Sequence, residues 1–291
     1  MTLLEECDFP ASGARVDLAV SGGPDSLGLL VLALEARLVV TVHHVDHHAR
    51  PASGEDARFV RQVCRDLGVE CVVHDVHLDT RANFEALARA QRRRVVPPGA
   101  LTGHTMDDLA ETVLLNMMRG AGLEGLSPMV DDATKPLRRL RRRNVHAYVA
   151  AAGLKARHDE TNDSARFRRN RVRQELLVLM NDVAQRDVVP VLARQAHVLF
   201  AERAWLEGLS REDLALSLGE ADCRQLRTWA PARLARWLRV RLATVTEHAE
   251  TYPPSASEVA RAVAVVRGDV VACELAGGRR LARHGQRLTL E

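Results

Sequence analysis

The sequence predicts an α/β fold in which a doubly wound parallel sheet is followed by a smaller, mostly helical domain with a C-terminal hairpin. The first observation is that short apolar runs typical of buried strands alternate with helical patterns in the first part of the chain. The strand-like runs lie at about 16–20, 38–45, 70–76 and 99–103, and the helical patterns at about 26–36, 53–67, 83–95 and 106–118.

The second observation is a change of character near residue 140, after which strand patterns give way to helical ones. Long amphipathic segments lie near 185–207 and 231–248, and apolar runs on both sides of Gly277-Gly278 indicate the terminal hairpin. A chain of 291 residues, 46% of them hydrophobic, is long enough to bury two cores. We therefore expect one domain over residues 1–185 and a smaller one over 186–291.

The bend after the first predicted strand, Ser21-Gly22-Gly23-Pro24-Asp25-Ser26, has the composition of a phosphate-binding loop. Adjacent glycines let the backbone approach a ligand closely, and the loop amides lie at the positive end of the next helix. The hydroxyl groups of Ser21 and Ser26 are expected to point at the same anion. The alternative is a glycine turn in which Asp25 or Ser26 caps the helix. The succession of strand, loop and helix favours phosphate binding.

Two carboxylates, Asp108 and Glu111, follow Gly103-His104 at the end of a later predicted strand. They are three residues apart, so they share the polar face of the helix that begins there. Such a pair can hold an ammonium group or a metal ion. Thr105 with Asp108 also forms a capping box, in which the acids only stabilise the helix. The residues alone leave both interpretations open.

Four histidines, at positions 43, 44, 47 and 48, follow the second predicted strand. A structural metal site is not favoured, because alternate residues of a strand point in opposite directions and the spacing matches no histidine or cysteine ligand motif. Asp46 is the better candidate, since a carboxylate beside the phosphate loop can hold Mg²⁺ against phosphate oxygens.

All but two of the 41 basic residues are arginine. A GC-rich genome would produce the same bias, so only local clusters carry weight. One cluster lies in residues 138–143 and the other in 166–173. A solvated helix face is the ordinary explanation of such runs, but two of them beside a predicted nucleotide site favour an RNA-facing surface.

The five cysteines form no Cys-x-x-Cys pair and have no zinc or iron–sulfur spacing, which is typical of reduced thiols in a cytosolic protein. The N-terminal residues lack the basic and apolar regions of a signal peptide, and the longest apolar run is too short for a membrane span. We expect a cytoplasmic protein without a membrane partner.

Taken in order, several segments resemble the tRNA(Ile)-lysidine synthetase family of PP-loop ATP pyrophosphatases. The first segment, Ser21–Ser26, is common to many PP-loop enzymes, whereas the later segments distinguish this family from the others. The matching segments are residues 21–26, His44-Val45-Asp46-His47 with Arg50-Pro51, 83–89, 103–112, 118–126, Asp159-Glu160-Thr161-Asn162, and Arg169-Asn170-Arg171-Val172-Arg173.

The resemblance implies an enzyme that adenylates the wobble cytidine of an isoleucine tRNA with ATP and then joins free L-lysine to it. It implies tRNA(Ile) with a CAU anticodon as partner, binding by the 186–291 domain, and leaves a homodimer open. The implied roles are ATP binding by Ser21, Gly22, Gly23, Pro24, Asp25 and Ser26; lysine binding by Asp108 and Glu111; catalysis by Asp25, Asp46, Arg89 and His104; Mg²⁺ binding by Asp25 and Asp46; and tRNA binding by Arg119, Arg169, Arg171 and Arg173.

The chain departs from the family pattern at Arg93, Lys135, Arg138 and Ser164, and it lacks an aromatic residue before Asp159. These departures affect expected RNA contacts and leave the loop and the acidic pair intact. The length implies a short form. Two alternatives remain: a tRNA-thiolating enzyme, although the Cys-x-x-Cys pairs of cytidine-thiolating members are missing, and an RNA-binding protein on a decayed PP-loop fold.

Overall fold

The computed structural model describes residues 2–46, 48, 53–76, 91, 94–157, 167–209, 213, 215–245 and 251–291. The chain divides into two compact units, residues 1–201 and 202–291. The functional division expected after residue 185 stays a prediction.

A four-stranded parallel sheet forms the centre of the first unit, as the sequence predicts. The strand order is β3-β2-β1-β4. The strands are β1 (Arg15–Ala19), β2 (Val39–Asp46), β3 (Glu70–Asp75) and β4 (Leu101–Thr102). Since all four run in the same direction, their carboxyl ends meet at one edge, where ligands of such sheets bind.

Three helices of this unit, predicted at about 26–36, 53–67 and 106–118, begin and end close to those positions. Within the described residues the helices of the unit are α1 (Pro24–Glu35), α2 (Ser53–Asp66), α3 (Met106–Met118), α4 (Leu123–Leu126), α5 (Arg142–Ala151), α6 (Arg168–Arg171) and α7 (Leu177–Ala184). A π-helical turn, Val172–Leu176, joins α6 to α7. The helix predicted at about 83–95 lies mainly outside the described residues.

The main core lies between the sheet and helices α1, α2 and α5. Leu18 and Val42 are fully buried on one face of the sheet, as period-2 alternation requires. Val145 of α5 is fully buried against Gly28 of α1, which has no side chain to hold the two helices apart. This packing holds α5 against α1.

The second unit has its own core around the fully buried Leu226, Leu238 and Leu281. Helix α8 (Val189–Leu209) spans the boundary between the units. The other elements are α9 (Cys223–Leu226), α10 (Pro231–Arg241), β5 (Thr244–Val245), β6 (Thr251–Tyr252), α11 (Ala256–Arg267), β7 (Ala272–Glu274), β8 (Arg280–His284) and β9 (Arg287–Leu290).

The C-terminal hairpin expected around Gly277-Gly278 is confirmed as β7 and β8, and β9 adds a third antiparallel strand. The amphipathic segment expected to extend to residue 248 is wrong at its end: α10 stops at Arg241, and the chain then forms the short β5–β6 pair. No helix among the described residues has the length and apolar character needed to cross a bilayer.

The contact between Gly28 and Val145 is open to a direct test. A Cβ atom at Gly28 would lie far inside van der Waals contact with Val145 Cγ1, so we expect Gly28→Ala to destabilise the first unit by about 1–3 kcal/mol. The measurement is urea unfolding followed by far-UV circular dichroism. Fluorescence provides an internal control, because all three tryptophans lie in residues 202–291 and report only on the second unit.

Gly54→Ala is the matched control, since a Cβ atom at this helical glycine meets nothing within 4 Å and alanine is the better helix former. In a double-mutant cycle, Gly28→Ala should reduce the free energy of unfolding less in a Val145→Ala background, because the Cγ1 atom that it meets is then absent. Additive losses would mean that the two side chains do not compete for the same space.

Candidate active site

The loop between β1 and α1 is held in shape by its own two serines. The backbone amide of Ser21 donates to Ser26 Oγ at 3.2 Å, and the Ser26 hydroxyl donates to Gly23 O at 2.9 Å. Ser26 is buried and Ser21 is exposed. The Ser26 hydroxyl therefore stabilises the loop from within, while Ser21 and the first-turn amides of α1 lie where an anion would bind.

Gly103, at the end of β4, lies against this loop. A Cβ atom here would come within 2.5 Å of Asp25 O and 3.1 Å of Ser26 N, so only glycine allows the approach. The neighbouring His104 forms a hydrogen bond with Thr102: its Nδ1 atom lies 2.8 Å from Thr102 Oγ1. The close packing brings the start of α3 and its acidic residues next to the loop.

Asp108 uses one carboxylate oxygen for the helix cap and the other for pairing with arginine side chains. Its Oδ2 atom accepts hydrogen bonds from the Thr105 amide and hydroxyl, each at 2.8 Å, which forms the predicted cap. Its Oδ1 atom instead accepts from Arg142 at 2.8 Å and from Arg169 at 2.9 Å. The cap thus fixes the carboxylate so that one oxygen remains for charged partners.

Glu111 is wholly buried and is surrounded by guanidinium groups. Oε1 accepts from Arg142 at 2.8 Å and from Arg173 at 2.7 Å. Oε2 accepts from Arg169 at 2.7 Å and from Arg173 at 3.2 Å. A carboxylate without access to water must be compensated in this way, because burial of an unpaired charge costs several kcal/mol.

Arg142, the first residue of α5, connects the two predicted sites. Its side chain is 13% exposed, and its Nε atom lies 3.3 Å from Asp25 Oδ2 in the phosphate loop while its other nitrogens bind Asp108 and Glu111. Its backbone amide donates to Asp107 at 2.7 Å, which anchors the residue between α3 and α5. One guanidinium group therefore joins the expected ATP site to the expected lysine site.

We call these six residues the arginine–carboxylate cluster: Asp25, Asp108, Glu111, Arg142, Arg169 and Arg173. Two histidines border it. His146 Nε2 lies 3.0 Å from Asp25 Oδ1, and the charge of His104 acts on Asp108. The cluster holds three carboxylates and three guanidinium groups, so its formal charges balance before any substrate binds.

The electrostatics of the cluster keep its acids ionised. Burial by itself raises the pKa of the Asp108 carboxyl, but the guanidinium groups of Arg142 and Arg169 outweigh burial and bring the pKa to about 2. Glu111 follows the same balance: burial opposes ionisation, whereas the hydrogen bond from Arg173 and the charge of Arg142 lower its pKa below the usual range. Both acids are thus poised to bind cations.

Asp46 lies at the carboxyl end of β2, away from these ion pairs. Its Oδ1 atom accepts from the His48 amide at 2.9 Å, and ligand atoms of Asp46, His48 and Asp75 lie within 4.8 Å of one another. Asp46 is buried, whereas the other two are exposed. Carboxylate oxygens are the ligands that Mg²⁺ prefers, so this edge fits the predicted ion.

The remaining predicted residues have different environments. Arg119 is exposed at the end of α3, and Arg171 is exposed in an ion pair with Glu175 at 2.7 Å. Arg89 lies outside the described residues, as do His47, Arg93 and Ser164.

The expectation that residues 138–143 form an RNA-facing run is wrong for three of their arginines. Arg138 is 9% exposed and pairs with Asp8 at 2.7 Å, and Arg141 pairs with Asp107 at 3.0 Å. Arg142 belongs to the arginine–carboxylate cluster. Only Arg139 and Arg143 of this run are mostly exposed.

Sequence reasoning missed Arg142 and His146. The available signal was their spacing of four residues, which places both on one face of α5. Because they stand in or next to an arginine run, they are easily taken for part of a solvated surface.

The comparison with protein families places residues 2–180 in a family described as the PP-loop domain. Two relatives are tRNA(Ile)-lysidine synthases: that of Gloeobacter violaceus is 38% identical over 70% of this chain and 67% of its own, and that of Nocardia farcinica is 34% identical over 78% and 75%. A third, from Mycolicibacterium paratuberculosis, is 38% identical over 68% of this chain, which spans 64% of that relative's length.

Among solved structures, the U34-tRNA thiolase NcsA from Methanococcus maripaludis, which holds a [4Fe-4S] cluster, matches 68% of this chain and 76% of its own with a TM-score of 0.56. The sequence identity is 16%, so this likeness supports the fold alone.

The depressed pKa of Asp108 predicts how stability depends on pH. In the unfolded chain an aspartate titrates near pH 3.9, about two units above the folded value. Its stabilising effect is therefore complete above about pH 4 and is lost as the pH falls towards 2. We expect Asp108→Asn to lower the free energy of unfolding by up to about 3–5 kcal/mol at neutral pH. Below pH 4, the free energy of unfolding of this variant should depend less on pH than that of the native protein.

The measurement is urea unfolding by circular dichroism across that range. Asp131→Asn, which removes an exposed carboxylate of the same unit, should leave the pH dependence as it is. If Asp108→Asn and the native protein lose stability in parallel below pH 4, Asp108 does not carry the effect.

Proposed function

The chain belongs to the tRNA(Ile)-lysidine synthase family of PP-loop proteins, and from this premise we propose that it joins L-lysine to C2 of the wobble cytidine, C34, of the isoleucine tRNA with a CAU anticodon. The observation that carries the proposal is that Arg142 binds the phosphate loop and the acidic pair together. A reaction that uses ATP and a cationic amino acid at one centre needs these two sites side by side.

In the first step, the C2 oxygen of the cytidine attacks the α-phosphorus of ATP, and pyrophosphate leaves. The amides at the start of α1 and the exposed Ser21 hydroxyl hold the phosphates by hydrogen bonds directed at developing negative charge. Gly103 allows this loop and the start of α3 to lie in contact. Asp25 holds Arg142 and His146 beside the phosphates.

In the second step, the ε-amine of lysine attacks C2, and AMP leaves with the former C2 oxygen while the amine loses a proton. Asp108 and Glu111 bind an ammonium group of lysine and thereby hold the amino acid beside the loop. For His104, which lies between β4 and α3 and forms a hydrogen bond with Thr102, we propose a catalytic role.

Magnesium is the remaining component. Both carboxylate oxygens of Asp25 have basic partners, so we propose that Asp46, with Asp75 at the next strand end, is the main protein ligand. The ion would offset charge on the pyrophosphate leaving group. For tRNA we propose contacts with Arg119 and Arg171, which are exposed, and with residues 186–291. A tRNA substrate also favours a cytoplasmic location.

The reaction products provide the main test. Incubation with ATP, isotope-labelled lysine and unmodified tRNA should yield AMP, pyrophosphate and a labelled cytidine detectable by mass spectrometry. We expect Asp25→Ala to remove most of the activity, because it releases Arg142 and His146 from the loop. Asp131→Ala, which removes an exposed carboxylate of the same unit, should retain it. Formation of ADP and phosphate, or of AMP and pyrophosphate without label on the cytidine, would exclude the proposal.

The acidic pair is tested by lysine kinetics. Glu111→Gln and Asp108→Asn keep the size of the side chains but lose the charge, so each should raise the KM for lysine far more than the KM for ATP. Arginine and ornithine should be poor substitutes for lysine in the native protein. A lower melting temperature with an unshifted lysine titration would mean that these acids only stabilise α3.

A further inference from the structure

The predicted lysine site is already filled by the protein's own cations. Asp108 Oδ1 and both oxygens of Glu111 are each within 3.2 Å of at least one guanidinium nitrogen of Arg142, Arg169 or Arg173. An ammonium group of lysine needs these same oxygens. Since the cluster is neutral as it stands, adding a lysine cation without removing another cation would leave an excess positive charge in a buried place.

The three arginines differ in how firmly they are held. Arg142 is 13% exposed, binds three carboxylates and is fixed through its backbone amide to Asp107. Arg169 and Arg173 are 37% and 31% exposed, and the acids that they bind within the described part of the chain are Asp108 and Glu111. Water already reaches the outer two guanidinium groups, so these are the ones that can exchange partners at lower cost.

Both outer arginines come from one segment. Arg169 lies in α6, and Arg173 lies four residues later in the π-helical turn, a type of turn that often occurs at functional positions in helices. Arg171, between them, is exposed and faces Glu175 instead. This segment thus presents a basic surface that reaches solvent on one side and the cluster on the other.

Phosphate is the ligand that competes best for a guanidinium group, because its oxygens accept the planar fork in the same way as a carboxylate does. Resting on the proposed function, we propose that Arg169 and Arg173 occupy the ammonium site in the free protein and that tRNA phosphates withdraw them, so lysine binds after tRNA. The two arginines thereby make the site open to lysine only when the second substrate is in place.

The proposal predicts a coupling between the two ligands. We expect saturating tRNA to tighten lysine binding by about tenfold or more, and lysine to tighten tRNA binding by the same factor, as linkage requires. The experiment is calorimetric titration of lysine into the full chain, without ATP so that no reaction occurs, in the presence and absence of an unmodified tRNA(Ile) transcript.

The decisive variant is Arg169→Gln with Arg173→Gln. Without the two guanidinium groups, lysine should bind in the absence of tRNA at least as tightly as it binds the native protein with tRNA, and tRNA should change that affinity less than about twofold. The control is Arg15→Gln with Arg37→Gln, which removes two exposed charges near the amino ends of β1 and β2 in the same unit and should keep the full coupling.

In the double variant, Arg142 is the cluster arginine that still binds the buried Glu111. The folding of this variant must therefore be checked. If its circular dichroism is abnormal, Arg173→Gln alone leaves both Arg142 and Arg169 on Glu111, and it should give an intermediate gain in lysine affinity without tRNA. Unchanged coupling in whichever variant folds would overturn the proposal.

The outcomes also separate this proposal from the function on which it rests. If lysidine forms in the product assay but native lysine affinity is the same with and without tRNA, the arginines do not control the site and the function stands. If lysine binds none of the forms and no labelled cytidine appears, both are wrong.

Discussion

The burial of the Glu111 carboxylate is the constraint on which this site depends. A carboxylate without contact with water requires counterions, and the protein supplies them from α5, α6 and the π-helical turn. Each of these elements is therefore tied to α3 through one side chain. Replacing such an ion cluster with packed apolar residues commonly stabilises a protein, so its presence here is better explained by binding than by stability.

Two glycines allow the backbone segments around this site to approach one another closely. Gly103 lets the end of β4 contact the phosphate loop, and Gly28 lets α5 approach α1 closely enough for Arg142 to reach Asp25. The parallel sheet brings β1 and β4 side by side, and these glycines remove the side chains that would separate the attached helices. The loop, the acidic pair and Arg142 are thus parts of one packed unit.

Local patterns in the sequence predicted the sheet and helices α1, α2 and α3 of the first unit, because apolar periodicity records which face of an element is buried. The Ser21–Ser26 loop was predictable as well, because the residues that form it are adjacent in the sequence. Arg142 was not, because its partners lie 31 to 117 residues away and a run of arginines has the same composition on a surface as in an ion cluster. Hydrophobic periodicity carries no information on which charge pairs with which.

The capping box shows how a structural and a functional interpretation of one residue can both hold. The cap consumes Oδ2 of Asp108 and fixes the side chain against the first turn of α3, so Oδ1 is presented in one direction. Glu111, one turn later, presents both oxygens to the same space. A carboxylate that was free to rotate would lose conformational entropy on binding a cation, whereas a capped one has already lost it during folding. The helix signal that argued against a binding site is therefore compatible with the proposed one, because the cap would preorganise it.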